Sequence, residues 1–135
     1  HAGEFKRLFG YVPSDSKNER IQLVEKYALD NGVTILLKGP TDIISNGNTT
    51  YLCEKNTPAM TVGGTGDVLS GLVAGLLSNN RNSLESAAAA AFICGLTGKK
   101  VQEELGLHMT SMDLIDAIPS IMKPFDKIIW LEWIL

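Results

Sequence analysis

Cysteine is scarce in this sequence. Only Cys53 and Cys94 occur in 135 residues. They lie far apart and fit neither a CxxC pair nor a zinc-ligand spacing, so they are expected to be reduced thiols of a cytoplasmic protein. Positive charge is also short. Twelve Lys and Arg face fifteen Asp and Glu, a net charge of −3. That balance leaves no basic field for nucleic acid or an acidic membrane surface. The longest apolar run, Ala87 to Leu96, is far below the roughly 20 residues of a membrane span. There is no signal-peptide pattern, no internal repeat and no low-complexity linker. An initial Met is missing too: the chain opens on His1, as expected of a fragment or a processed product. What remains is 44% hydrophobic and 20% charged, the composition of one globular domain.

Periodicity places the elements. Glu4 to Phe9 reads as a short helical turn with Phe5, Leu8 and Phe9 on one side. Ser14 and Asp15 offer caps for a helix near Asn18 to Leu29, which Asn31-Gly32 stops. The stretch "VTILLK" (33–38) is a nearly all-apolar strand. Such strands are usually buried on both faces, which predicts a parallel sheet flanked by helices. "DIISNGNTTYLCE" predicts two strands about a turn at Asn46-Gly47. A helix is expected from about Gly66 to Leu77, with Gly71 and Gly75 allowing close helix packing. Asn82 and Glu85 can form a capping box for a helix holding Ala87 to Ala91. Thr110 or Ser111 opens another through Leu114, Ile115 and Ile118. His108 reads as a surface residue. The tail "IIWLEWIL" is very apolar for a terminus.

The stretch "TVGGTGDVLSG" (61–71) carries the chemistry. A helix N-terminus presents unpaired N–H groups and about half a unit of positive charge. Glycines ahead of it let an anion approach the backbone. Gly64, Thr65 and Gly66 can therefore form an anion cradle. It is not a Walker A loop, because Asp67 and Val68 stand where Lys-Ser/Thr is required. Nor is it a dinucleotide fingerprint, which would need glycine at Leu69. An acid beside an anion cradle makes sense if it takes a proton from a hydroxyl that attacks a phosphoryl group. Asp67 would be that base. The plainer alternative is a glycine turn with Asp67 favouring the helix dipole. Lys38, at a strand end, is either a site residue or a solvated lysine. His1 could be an expression remnant.

At these residues the sequence resembles the ribokinase-like superfamily, whose GxGD loop is anion hole and catalytic base. "HAGEFKRL", "LLKGPTDIIS" and "NTPAMTVGGTGDVLSGLVAGLL" together resemble the ADP/ATP-dependent NAD(P)H-hydrate dehydratases. The likeness runs over residues 1–122 in the same order. It implies a three-layer α/β/α fold of which this chain is the C-terminal part, with 123–135 an apolar tail outside the pattern. It implies that His1 contacts the hydrated dinucleotide, with Ala2 in place of the family's usual Pro. Lys38, Gly39, Pro40, Thr41 and Asp42, together with Gly64, Thr65 and Gly66, would meet the nucleotide. Asp67 would contact the hydrate.

The implied chemistry is phosphorylation of the ring hydroxyl of hydrated NAD(P)H by ADP or ATP with Mg²⁺, then elimination of phosphate. No protein metal-ligand set is read from the sequence. The family's domain is about twice as long, so a homo-oligomer or pairing with a preceding half is expected. Two alternatives stay open: a small-alcohol or vitamin kinase of the same superfamily, and a non-catalytic fragment that oligomerises. "HAGEF" and "NTPAM" argue against the kinase.

Overall fold

The computed structural model describes residues 1–54, 57–79 and 82–126; the apolar tail from Ile128 to Leu135 lies outside them. Among the described residues, three strands form one sheet: β1 (Ile35–Leu37), β2 (Asp42–Ser45) and β3 (Thr50–Cys53). The helices are α1 (Ala2–Phe9), α2 (Lys17–Asn31), α3 (Thr65–Asn79), α4 (Ser83–Leu105) and α5 (Ser111–Met122). A 3₁₀ turn, Pro58–Met60, leads toward α3, and another, Lys123–Phe125, follows α5.

Alternation along the strands builds three layers. On β2, Ile43 joins Phe5, Val24 and Leu37 in a core under α1 and α2. Its neighbour Ile44 joins the opposite core, which holds Leu69 of α3, Ala87, Ala90, Ala91 and Cys94 of α4, and Leu114 of α5. β2 is therefore buried on both faces, whereas Val33 before β1 and Tyr51 and Leu52 of β3 are exposed, and the pairing is antiparallel rather than the parallel one expected from "VTILLK". Leu36 lies opposite Ile44, and Ile43 opposite Leu52. The connection explains the difference. Only Lys38–Thr41 joins β1 to β2, whereas parallel neighbours need a crossover of about a dozen residues. The second hairpin turns at Asn46-Gly47 as expected. Gly47 has φ 89, and a Cβ there would strike Leu29 at 2.6 Å, so two independent demands require glycine.

Helix ends follow their side chains. Ser16, with extended backbone, caps α2 by accepting the Glu19 N–H. Ser14 and Asp15 do not fill that role; the Ser14 hydroxyl instead donates to the Glu19 carboxylate and accepts from the Ser16 N–H. Gly32 ends α2 in a left-handed conformation. Asn82 caps α4 through the Glu85 N–H, and Thr110 with Asp113 forms a capping box on α5. On α1, the i, i+4 pair Phe5 and Phe9 stacks with Tyr27 at centroid distances of 4.7, 5.3 and 4.6 Å. Leu8 falls to one side of that stripe and is 76% exposed, contrary to expectation. His108 is exposed, and Cys53 and Cys94 are buried free thiols.

Candidate active site

The first stretch, "HAGEF", is a helix start before it is anything else. His1 is the N-cap of α1, and its Nδ1 accepts the Gly3 N–H at 2.9 Å. The Glu4 carboxylate reaches back to the His1 backbone nitrogen and completes a capping box. Gly3 is glycine because a Cβ would come within 2.8 Å of the His1 ring. Phe5 then buries itself in the core. With Nδ1 used as acceptor, the neutral ring carries its proton on Nε2.

The second stretch is the β1–β2 loop. Lys38 directly follows β1, half-buried, and its carbonyl accepts from Arg20 Nη2 at 3.4 Å. The Gly39 N–H donates to Asp42 Oδ1 at 2.9 Å. Asp42 is only 1% exposed, so this acid faces its own loop. Thr41 lies on the outer side, where it lines a small cavity of about 160 Å³ with Asp15, Lys17, Arg20, Pro40 and Ile43.

The third stretch is the cradle. The first bond of α3 runs from the Val68 N–H to the Gly64 carbonyl at 3.1 Å. The N–H groups of Thr65, Gly66 and Asp67 precede it and point out of the helix end. Thr65 is buried, with its hydroxyl donating to the Met60 and Val62 carbonyls, so only its backbone can face a ligand. Gly64 has φ 89, and a Cβ on it would meet Ser111 Oγ at 2.7 Å. Around Gly66 the situation is reversed: a Cβ there would meet nothing within 4 Å. Asp67 is exposed in the first turn of α3.

These stretches converge. A cavity of about 470 Å³ is lined by His1, Glu4, Lys38, Gly66 and Asp67, with Leu36 and the α3 side chains Leu69, Ser70 and Val73 along its floor. An adjoining cavity of about 560 Å³ shares His1 and Lys38 and adds Gly39, Pro40, Thr57, Pro58, Met60 and Thr61. The "NTPAM" residues were legible as part of a resemblance but not as cavity walls. The local signal was Thr57-Pro58, a cap followed by proline at the first helical position. Gly71 and Gly75 do not pack against a helix. Each looks into open space along an apolar groove of about 670 Å³ between α3 and α5. Burial pushes the Cys94 thiol above its ordinary pKa, against the nearby Lys38 charge. Among the described residues no group of three or more His, Cys, Asp or Glu could hold a metal ion.

Comparison with known proteins gives the family. The ADP-dependent (S)-NAD(P)H-hydrate dehydratase of Nitrosopumilus maritimus is 77% identical over 128 residues, which cover 95% of this chain and 45% of that protein. Its namesake in Cenarchaeum symbiosum is 61% identical over the same shares. The chain thus spans about half the length of these curated relatives. The crystal structure of the Bacillus subtilis ADP/ATP-dependent NAD(P)H-hydrate dehydratase, co-crystallised with ATP/Mg²⁺, superposes with a TM-score of 0.85 at 26% identity. That match covers 93% of this chain and 46% of the other. A ribokinase-like superfamily protein of Enterococcus faecalis shares the fold at a TM-score of 0.74, 24% identity and coverage of 93% and 43%. The model of the NAD(P)H-hydrate dehydratase family matches residues 1–120, and the chain belongs to that family.

Proposed function

We propose that this chain carries the nucleotide site and the general base of an ADP- or ATP-dependent dehydratase acting on hydrated NAD(P)H. The observation that carries this reading is the meeting of His1, Lys38, Gly66 and Asp67, from three separate stretches, on one cavity. The open space over Gly66 fits a phosphate group against the helix N-terminus. Lys38 adds the charge that anchors it. ADP or ATP would supply the phosphoryl group, and Mg²⁺ would enter with its phosphates.

Asp67 stands where a hydroxyl attacking that phosphoryl group must release its proton. The O–H bond of the ring hydroxyl breaks, its proton passes to the Asp67 carboxylate, and its oxygen bonds to phosphorus. Loss of phosphate with a neighbouring ring proton then restores the double bond of NAD(P)H. His1 would donate from Nε2 to the dinucleotide. Thr65 would act through its backbone, Pro40 and Gly39 as cavity wall, and Thr41 from the loop's outer side. Asp42 acts from within the loop.

The small-alcohol kinase reading is not favoured, since the curated relatives are named for hydrate dehydration. β1 is an edge strand among the described residues, and an unpaired edge seeks a strand from a second copy or another segment. That edge supports the reading of homo-oligomerisation or pairing with a further half. Two free thiols suit the reducing cytoplasm. Among the described residues no helix is long and apolar enough to cross a membrane.

The test is a chimera in which residues 1–126 replace the matching segment of the Nitrosopumilus maritimus relative. It should convert hydrated NADPH to NADPH only with ADP or ATP present, and Asp67→Asn should bind nucleotide yet fail to turn over. A nucleotide-independent chimera, or near-normal turnover by Asp67→Asn, would overturn the assignment.

A further inference from the structure

A peptide unit has one acceptor and one donor, and in the Lys38–Gly39 peptide both are held by side chains. Its carbonyl accepts from Arg20 Nη2 at 3.4 Å. Its N–H donates to Asp42 Oδ1 at 2.9 Å. The two side chains come from different places, Arg20 from α2 and Asp42 from the first residue of β2. We propose that Arg20 and Asp42 are positioning residues that lock this peptide and so aim the Lys38 ammonium into the site.

Glycine makes such a lock necessary. A peptide preceding glycine can rotate with little steric resistance, and a flip would swing the backbone from which Lys38 projects. With both poles bonded, a flip breaks two hydrogen bonds, one of them to a buried carboxylate. Glycine also makes the lock possible. A Cβ at position 39 would lie 3.0 Å from Arg20 Nη2 and 3.3 Å from the Thr41 carbonyl, so a side chain there would crowd the guanidinium where it meets the peptide.

One consequence is chemical. The Gly39 N–H is the obvious backbone donor for a phosphate in a lysine-glycine loop, yet it is directed to Asp42. Asp42 therefore does not repel the nucleotide from the rim of the cavity; it braces the loop from inside. Anion recognition on this loop then falls to the Lys38 side chain, which lines both site cavities.

The inference rests on the nucleotide reading above, and its test separates the two. Arg20→Met, Arg20→Gln and Lys38→Ala are made in the 135-residue chain and in the chimera. Affinity for ADP and ATP is measured by calorimetry at two salt concentrations, and amide hydrogen exchange is followed at Gly39. Arg20→Met should weaken nucleotide binding about three- to tenfold, the size of one hydrogen bond. It should leave the salt dependence unchanged and speed exchange at Gly39. Arg20→Gln keeps a donor for the Lys38 carbonyl without the charge, and it should restore both readouts.

Unchanged affinity and exchange in Arg20→Met would overturn the lock. So would an Arg20→Gln variant as weak as Arg20→Met with a shallower salt dependence, which would make Arg20 a direct phosphate ligand. If neither nucleotide binds the unmutated protein, or Lys38→Ala binds like it, the nucleotide reading falls and the lock loses its purpose. Exchange at Gly39 still decides whether the lock exists.

Discussion

Gly66→Ala should strengthen the fold and destroy the site at once. Gly66 lies in the first turn of α3 and is not among the glycines with positive φ. A Cβ there meets nothing within 4 Å. Alanine in a helix is favoured over glycine by roughly 0.5–1 kcal/mol. With no clash to offset it, the variant should melt roughly 2–4 °C higher. The same methyl projects into the space where a phosphate oxygen must come within about 2.9 Å of a backbone N–H. Holding the anion off loses a charge-assisted hydrogen bond worth about 1.5–3 kcal/mol, a roughly 10- to 100-fold loss of ADP or ATP affinity. Gly71→Ala is the control. It is five residues further along the same helix, equally open, and does not line the cavity shared by His1, Lys38 and Gly66. It should gain similar stability and bind nucleotide normally. Calorimetry and thermal melting on both variants check this. Wild-type affinity in Gly66→Ala would refute the cradle, and a lowered melting temperature would refute the open space.

Lys38→Ala should weaken nucleotide binding by roughly 10- to 100-fold, as for one charge-assisted phosphate contact. The loss should shrink as salt rises, and calorimetry at two ionic strengths checks it. Asp113 has its pKa lowered, first by the hydrogen bond from the Thr110 hydroxyl and then by the Thr110 N–H. A folded pKa below the unfolded one means that this cap stabilises α5 above about pH 4 and is lost as pH falls through the folded value. A plot of melting temperature against pH should therefore drop less steeply in that acid range for Asp113→Asn; an unchanged slope would deny Asp113 the role. The thiols of Cys53 and Cys94 are 7% and 3% exposed, and burial raises the Cys94 pKa. Both should resist an aromatic disulfide reagent in the native protein and react once denaturant is added; rapid native reaction would contradict the packing.

Much of this architecture is local and so could be read from sequence. The Asn46-Gly47 hairpin, the α2 stop at Gly32 and the start of α3 each depend on a few adjacent residues. The antiparallel pairing of β1 was equally local, written in the brevity of Lys38–Thr41, but the apolar strand directed attention to its faces rather than to its connection. Other features depend on what a residue meets across the fold. Gly71 and Gly75 look the same in sequence whether a small residue faces another helix or an open groove. Asp42 is the same letter whether it faces a ligand or its own loop. Neither periodicity nor spacing carries that distinction, because the partners, Arg20 for the loop and Ser111 for Gly64, lie in distant segments.

The site residues divide by what the folded chain already asks of them. Gly3 makes room for the His1 ring, Phe5 fills a core, Thr65 ties down the loop before α3, and Asp42 braces the lysine-glycine peptide. Each of these is satisfied within the protein. The Lys38 ammonium, the open face of Gly66 and the exposed Asp67 carboxylate are different: a Cβ on Gly66 would meet nothing within 4 Å, and Asp67 is exposed to solvent. All three open onto one cavity. A lysine charge, an uncovered helix N-terminus and an exposed carboxylate in one place suit a ligand. That ligand needs an anionic group for the first two and a proton to surrender to the third. A phosphorylated nucleotide beside a hydroxyl-bearing substrate has both, and that is the ground for the function proposed above.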